Sequence, residues 1–340
     1  TRAGYRARII VERKNDGTIK VSFPIVPGKI PFVVVMKALG LTRDQDIAYA
    51  VSSDEAVQQE VLMSFEEAEE IKTEEEALDY IGRRIAMRQP KKERVERAKF
   101  ILDQYFLPHL GTRPEDRIKK AYFLADVARR LIELDLGLRD EDDKDHYANK
   151  RLRLAGDLLA SLFRVTFVLL CRDMKYQIER SIARNRKINL RNIVRSDIIT
   201  SRFRHALATG NWVGGRVGVS QILNRNNYLA TLSHLRRVVS PLSRSQPHFE
   251  ARELHPTHWG RICPCETPEG PNCGLVKNLA LMCTLSEGTD PEKVKEVCLE
   301  LGVTPFGEAL GKVAGVRVFV DGELIGVVVD PEEFVKKFIL

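Results

Sequence analysis

Residues 217–278 constrain the fold of this chain more than any other stretch, because they cannot form an ordinary hydrophobic core. The segment is dense in Asn, Gln, Arg, His and Glu, with Gly and Pro residues between them. Pro and Gly interrupt helices and strands, and chemistry concentrates on loops that a scaffold holds in place. The sequence therefore predicts a loop-rich functional segment flanked by regions of regular structure.

The residues before this segment predict a mixed α/β module that ends near residue 154. Arg6–Glu12 and Thr18–Phe23 alternate in polarity around Asn15-Asp16-Gly17, which is a hairpin signal because such turns need positive φ. Thr73–Glu76 has the pattern of a helix capping box. Apolar spacing predicts helices at Phe32–Leu39, Lys92–Phe106, Arg117–Leu134, Leu152–Arg186 and Ser196–Ala208.

The residues after Ser286 return to an ordinary α/β pattern. Val316–Val320 and Leu324–Val329 flank Asp321-Gly322, which predicts a second hairpin. We therefore expect regular structure on both sides of the loop-rich segment.

The best candidate for a membrane span is Leu158–Cys171. It is shorter than the roughly 20 apolar residues that a span needs, and it contains Arg164. We predict a buried helix here and no association with a membrane. The sequence begins without Met and without a signal-peptide pattern, so we expect an internal start and a piece of a longer chain.

The formal net charge of +7 is unevenly distributed along the chain. Acidic residues dominate from Arg43 to Asp79, whereas basic residues dominate from Arg164 to Asn211. A basic stretch beside an acidic one suggests that one part faces polyanions. Two solvated helix faces would give the same pattern, so charge alone leaves nucleic-acid binding open.

The cysteines and acidic clusters predict no metal site. Six cysteines in 340 residues are too few for a disulfide framework and fit a reducing, cytoplasmic compartment. Cys263 and Cys265 flank Pro264, with Cys273 nearby, but a CxxC pair is missing, so zinc is disfavoured. Asp140–Asp145 lacks the glycine and the final Glu of a calcium loop.

Two long segments carry a resemblance to a known family. His255–Leu279 (HPTHWGRICPCETPEGPNCGLVKNL) resembles the signature of the second-largest, beta-like subunit of multisubunit DNA-directed RNA polymerases. Gly218–Arg237 resembles the neighbouring fork segment of that subunit. Trp259 and the short loop Val213–Arg216 resemble the archaeal branch of the family.

The resemblance implies an α+β, multidomain fold. It implies a mixed α/β lobe at 1–154, part of a helical protrusion at 155–211, a loop-rich fork at 212–285 and the start of an external domain at 286–340.

The resemblance also implies a function, nucleotidyl transfer, that this chain does not catalyse alone. The family reaction uses two magnesium ions, which aspartates of the largest subunit hold, so no catalytic residue and no cofactor is expected in this chain. Its implied role is to position the RNA–DNA hybrid, the downstream DNA and the nucleotide site. The implied partners are the largest subunit and other polymerase subunits, template DNA, NTPs, and transcription initiation and elongation factors, at the nucleoid of an archaeal cytoplasm.

The resemblance places one set of side chains near nucleic acid or the nucleotide site. These are Gln221, Asn224, Arg225, Arg236, Arg237, Arg252 and Glu269. Arginine forks suit phosphates and carboxylates, and amides suit a hybrid backbone. Structural ion pairs, loop-fixing hydrogen bonds and a simple cap for Glu269 remain alternatives. Of Arg236 and Arg237 we expect one to point outward and one to be buried.

Two other functions stay open from the sequence. The first is a binding module for nucleic acid or a protein factor, which would use the same surfaces without catalysis. The second is a free-standing hydrolase or transferase at His255–Glu269, the weakest hypothesis because no nucleophile, base and orienting group are evident. We expect His255 and His258 to make structural hydrogen bonds rather than bind metal.

Overall fold

The structure is a computed structural model that describes residues 8–185, 189–286, 288–306 and 315–339. Among the described residues, its first region contains three short strands and six α-helices, with short 3₁₀ turns between them. The strands are β1 Ile10–Arg13, β2 Ile19–Ser22 and β3 Ile30–Pro31. The helices are α1 Phe32–Ala38, α2 Asp44–Val51, α3 Glu55–Leu62, α4 Glu74–Ala86, α5 Lys91–Gln104 and α6 Arg117–Asp135.

The middle region is helical at first and then rich in loops. Its elements are α7 Ala155–Ala183, α8 Leu190–Ile193, α9 Asp197–Thr209, α10 Tyr228–Leu235, β4 Arg237–Val239, α11 Phe249–Arg252 and β5 Val276–Asn278. The last region comprises α12 Pro291–Glu300, β6 Thr304–Pro305, β7 Val316–Val320, β8 Glu323–Val328 and α13 Pro331–Ile339. This mixture confirms the predicted α+β, multidomain class.

Both predicted hairpins are present. β1 and β2 pair antiparallel around Gly17, whose φ is +81°. β7 and β8 pair around Asp321 and Gly322, whose φ values are +50° and +88°. Asn, Asp and Gly tolerate this left-handed conformation best, which is why the turn sequences alone revealed the hairpins. The predicted strand residues Arg6 and Ala7 lie outside the described residues.

The packing of α4 against α5 depends on one glycine and one carboxylate. The predicted capping box starts α4, since Thr73 accepts from the backbone N–H of Glu76 and the Glu76 side chain accepts from that of Thr73. A Cβ at Gly82 would lie 2.7 Å from the backbone oxygen of Arg94, so the helices can approach only without one. Arg94 then pairs with Asp79, which is 3% exposed, at 2.7 Å.

The helix α7 is less buried than its sequence predicted. Leu162 and Leu170 are buried, and Trp212 donates its indole N–H to the backbone oxygen of Leu158 at 2.8 Å. Phe163 and Phe167, however, are 46% and 47% exposed. The prediction of a helix is confirmed, although its last predicted residue, Arg186, lies outside the described residues. The prediction of burial is wrong, because described residues cover only the part of the helix that packs on α8, α9 and Trp212.

The described residues form two compact units. One contains the residues up to Glu141 together with those after Glu287, and the other runs from Asp142 to Ser286. This division into two units does not test the four parts predicted from the sequence, and those four parts stay a prediction.

In the first unit, the last region folds onto the first. The ring of Phe306 meets that of Tyr122 edge-on at 4.5 Å. Arg317 on β7 donates to the backbone oxygens of Tyr49 at 2.6 Å, of Ala50 and of Val51 at 3.3 Å. Since the last carbonyls of a helix lack partners within it, Arg317 supplies the C-terminal cap of α2.

Replacing Arg317 with alanine is expected to destabilise the first unit by about 2 kcal/mol, because charge-assisted hydrogen bonds to carbonyls that are otherwise unsatisfied are lost. The measurement is the calorimetric melting profile of the full chain. Lys337→Ala is the matched control, since Lys337 pairs with Glu333 on an exposed helix face. An unchanged transition for Arg317→Ala would show that the cap is dispensable.

Candidate nucleic-acid interface

A short antiparallel ladder joins the two segments that carry the family resemblance. Arg237 on β4 lies opposite Asn278 on β5, and Val239 lies opposite Val276. The backbone N–H of Ser240 donates to the oxygen of Leu275 at 2.8 Å, which extends the contact by one residue. Two loop-rich segments that are distant in sequence thus form one local structure.

The loop before α10 holds two of the predicted site residues. The side-chain amide of Gln221 donates to the oxygen of Gly218 at 3.0 Å, and its oxygen lies 2.9 Å from His234 Nε2. Asn224 accepts the N–H of Asn226 on its side-chain oxygen at 3.0 Å. These bonds are the loop-fixing alternative, realised for both amides.

The arginines of this region divide into outward and inward groups. Arg236 is half-buried and donates to the backbone oxygens of Ala280 and of Leu281, the latter at 3.3 Å. Arg225 and Arg237 are exposed, and neither side chain has a hydrogen bond or an ion pair with any residue that the structure describes. Arg237 therefore points outward, whereas Arg236 is only partly buried.

Arg252 is a clamp for the backbone. Its guanidinium donates to the oxygen of Pro247 at 2.6 Å, of Pro271 at 2.8 Å, of Cys273 at 2.6 Å and of Gln246 at 3.4 Å. A Cβ at Gly274 would lie 2.3 Å from the backbone oxygen of Arg252, so this position requires glycine. The planar fork of donors on arginine suits such a convergent set of acceptors.

Glu269 stands at the start of the short 3₁₀ turn Gly270–Asn272 and is exposed. Its carboxylate does not cap that turn. It also has no hydrogen bond or ion pair with Arg252 or with any other described residue. The cap interpretation is therefore excluded for the described part of the chain.

The histidines contribute structure, through a link that the sequence did not reveal. His255 Nε2 lies 2.6 Å from a carboxylate oxygen of Asp143, and its Nδ1 lies 2.6 Å from the hydroxyl of Thr257. The same hydroxyl accepts the backbone N–H of Tyr147 at 3.1 Å. A carboxylate, an imidazole and a hydroxyl thus form a chain of hydrogen bonds. This chain links the loop at Asp143 to the segment His255–Leu279.

His258 is buried, and the ring of Tyr147 meets it edge-on at 4.5 Å. Its ring makes no hydrogen bond with a described residue, so the predicted structural hydrogen bond is seen for His255 and not for His258. Burial lowers the pKa of His258, and the charge of nearby Lys277 lowers it further. For Asp143, the backbone N–H of Asp145 and the hydrogen bond with His255 hold the pKa of the carboxyl below its ordinary value. The neutral imidazole and the ionised carboxylate suit a structural role.

Within the described ranges, no group of three or more His, Cys, Asp or Glu side chains is placed to hold a metal ion. The six cysteines are free thiols, and Cys265 and Cys273 are exposed. That the chain binds no metal stays a prediction. Among the helices described, none is long and apolar enough to cross a membrane.

Comparison with known proteins defines the class. Residues 1–153 match the family model described as RNA polymerase Rpb2, domain 2, and residues 221–285 match RNA polymerase Rpb2, domain 3. The second match contains the ladder, Arg252 and Glu269. The chain belongs to the family of RNA polymerase second-largest subunits.

The chain is of the archaeal type within that family. It is 55% identical over 98% of its length to DNA-directed RNA polymerase subunit Rpo2 of Saccharolobus shibatae, covering 31% of that protein. It is 54% identical over 89% of its length to subunit Rpo2N of Methanococcus vannielii, covering 62% of it. The chain thus spans about a third to three fifths of the length of these relatives.

Proposed function

We propose that this chain works as part of the second-largest subunit of a DNA-directed RNA polymerase, where it positions the RNA–DNA hybrid, the downstream DNA and the nucleotide site. The observation that carries the proposal is that the guanidinium groups of Arg225 and Arg237 are exposed and make no hydrogen bond or ion pair with a described residue; they lie on a loop and a strand of the domain 3 region. Charges presented in this way are suited to phosphates, since pairing within the protein does not neutralise them.

The proposed site residues take two roles. Arg225, Arg237 and Glu269 are the groups that reach the substrate side. Gln221, Asn224, Arg236 and Arg252 support them. The two amides bond within their own loop, and the two arginines bond to backbone oxygens that include those of Ala280 and Pro271. The first set acts through charge and the second set fixes where that charge lies.

The chemistry itself belongs to the assembled enzyme. In the proposed function, carboxylates of the largest subunit hold the magnesium ions, which would stabilise the attacking and leaving oxygens of nucleotidyl transfer. The carboxylates of this region, among them Glu250, Glu266 and Glu269, are not clustered for such a site in the described residues. The chain contributes positioning and electrostatics.

The proposed partners follow from this role. They are the largest subunit and the other polymerase subunits, template DNA, the hybrid and NTPs, together with initiation and elongation factors. We place this assembly in the archaeal cytoplasm, at the nucleoid. The names of the relatives support the partnership with other polymerase subunits.

Replacing Arg225 or Arg237 with alanine is expected to weaken the hold of the assembled polymerase on a hybrid scaffold at every sequence tested. A phosphate contact contributes counterion release rather than base reading, so each change should lower the salt dependence of log affinity by about one. The measurement is a series of binding titrations from low to high salt.

Arg195→Ala is the matched control. Arg195 is also an exposed arginine of the unit from Asp142 to Ser286, but its guanidinium lies 3.3 Å from a carboxylate oxygen of Asp197 and 3.8 Å from one of Asp173. This change should leave the salt dependence unchanged. If Arg225→Ala and Arg237→Ala both behave like Arg195→Ala, these arginines do not contact the nucleic acid and the proposed function of this surface is wrong.

A further inference from the structure

His234 is the one histidine of the helix α10, and both of its ring nitrogens are engaged by the loop that precedes the helix. Its Nδ1 accepts the backbone N–H of Asn224 at 3.0 Å. Its Nε2 lies 2.9 Å from the side-chain oxygen of Gln221. One imidazole thus holds two points of the loop.

These partners fix the protonation state that the contacts require. A backbone N–H can only donate, so Nδ1 must carry a lone pair. A neutral imidazole then has its proton on Nε2 and donates it to the oxygen of Gln221. Gln221 is left to donate its own N–H to Gly218, and each atom in the chain of bonds has a defined role.

We propose that His234 is a positioning residue that sets the loop 221–227, and through it Arg225, for contact with the hybrid. This rests on the proposed function and deepens it. Two further bonds anchor the loop to α10: the hydroxyl of Thr231 donates to the oxygen of Asn224 at 2.8 Å, and Asn227 caps the helix by accepting the N–H of Ala230 at 2.7 Å.

These bonds do not contact the side chain of Arg225; they fix only the position of its backbone. It follows Asn224 directly, is exposed, and makes no hydrogen bond with any described residue. The backbone that His234 holds therefore sets the point from which the Arg225 side chain extends. Since the ordering of a flexible charged loop costs entropy on binding, a loop held in advance binds more tightly.

The two ring nitrogens can be tested separately. His234→Asn places a carbonyl oxygen near the position of Nδ1, and His234→Gln places an N–H donor near the position of Nε2. We expect exchange protection of the Asn224 backbone amide in the full chain to fall in His234→Ala and His234→Gln and to persist in His234→Asn. Equal protection in the parent chain and in His234→Ala would overturn the proposed link.

The functional arm is a double-mutant cycle in the assembled polymerase. Arg225→Ala is expected to weaken hybrid binding about tenfold in the parent, equivalent to about 1.4 kcal/mol, and to have little further effect in the His234→Ala background, because contacts that depend on each other are not additive. His234→Asn should restore part of the Arg225 effect.

Two results distinguish the positioning role of His234 from the contact between Arg225 and the hybrid. If Arg225→Ala weakens binding equally in both backgrounds, His234 does not position Arg225, while the proposed function stands. If Arg225→Ala has no effect in the parent, the contact between Arg225 and the hybrid fails, and with it the positioning role of His234. The exchange experiment then reports whether His234 still holds the loop structurally.

Discussion

Replacing Arg252 with alanine is expected to release the loop that carries Glu269. The guanidinium holds backbone oxygens from two segments, on one side Gln246 and Pro247 and on the other Pro271 and Cys273. Hydrogen bonds of a charged donor contribute about 1.5–3 kcal/mol each and are not additive. We therefore expect the free energy of local opening of this loop to fall by about 3 kcal/mol. The measurement is hydrogen exchange and limited proteolysis over residues 243–274.

Two variants control this prediction. Arg252→Lys keeps the charge but replaces the fork by a single ammonium group, so it should rescue little. Glu269→Ala should leave exchange unchanged, because its carboxylate has no partner among the described residues. If Arg252→Ala shows parental exchange and protease resistance, the clamp does not hold the loop.

In the assembled polymerase, Glu269→Ala and Arg252→Ala should both change the rate of elongation or pausing while subunit assembly stays intact. The loss of one charge-assisted contact that acts only in the transition state gives about a ten- to hundredfold effect. Parental elongation rates for both variants would show that these side chains are scaffold alone.

Replacing Asp79 with asparagine is expected to lower the free energy of unfolding of the first unit by about 3 kcal/mol. Asp79 is 3% exposed and accepts from Arg94 at 2.9 Å and from Arg83 at 2.9 Å. An asparagine would remove the negative charge and point an N–H₂ group at one of the two guanidinium groups. The side chain of Arg94 is only 16% exposed, so it would be left beside a neutral group in a largely buried site, which is strongly destabilising, whereas the exposed Arg83 would be solvated.

The cost should depend on pH. Burial alone would raise the pKa of Asp79, but the hydrogen bonds from Arg94 and Arg83 outweigh it and hold the pKa below the ordinary value of 3.8. A lowered pKa contributes stability that is present above the unfolded-state pKa and is lost as the pH falls through the folded-state pKa. The difference in the free energy of unfolding between the parent and Asp79→Asn, measured by denaturant titration, should therefore be largest at neutral pH and shrink below about pH 4.

Glu333→Gln is the control for Asp79→Asn, because Glu333 pairs with Lys337 on an exposed helix face, where such pairs contribute little. A loss of unfolding free energy for Asp79→Asn that is no larger than that of the control would contradict the assigned role of the buried carboxylate. A loss that grows toward acid pH would contradict the predicted direction of the pH dependence.

The sequence predicted what local chemistry determines. The Asn15-Asp16-Gly17 turn, the Thr73 capping box and the hairpin at Asp321 are fixed by residues within a few positions of one another, and the structure confirms each. The bounds of α5 and α6 also lie within two residues of those predicted from apolar spacing. In these cases propensity and tertiary packing favour the same conformation.

Contacts between distant residues could not be predicted in this way. His255 bonds to Asp143 across 112 positions, and Arg317 caps a helix more than 260 positions earlier. No periodicity or spacing marks either partner, since each pairing depends on how the segments pack. The same limit applies to α7, whose apolar composition predicted burial although described residues cover only one of its faces.

The candidate site was predicted by resemblance rather than by physical pattern. That resemblance named Arg252 and Gln221 but not what they bond to. It did not place His234 among the site residues, although His234 makes two hydrogen bonds across ten and thirteen positions. The signal available in the sequence was weak: a histidine in the last turn of a helix, after a loop rich in amides.

One measurement tests directly whether this chain works only as part of an assembled polymerase. It compares template-dependent RNA synthesis by the chain alone with synthesis by a polymerase that carries this sequence in its second-largest subunit. With magnesium, template and NTPs present in both, we expect no incorporation by the chain alone and processive synthesis by the assembly. Measurable synthesis by the purified chain, or an assembly that keeps full activity without this sequence, would contradict this expectation.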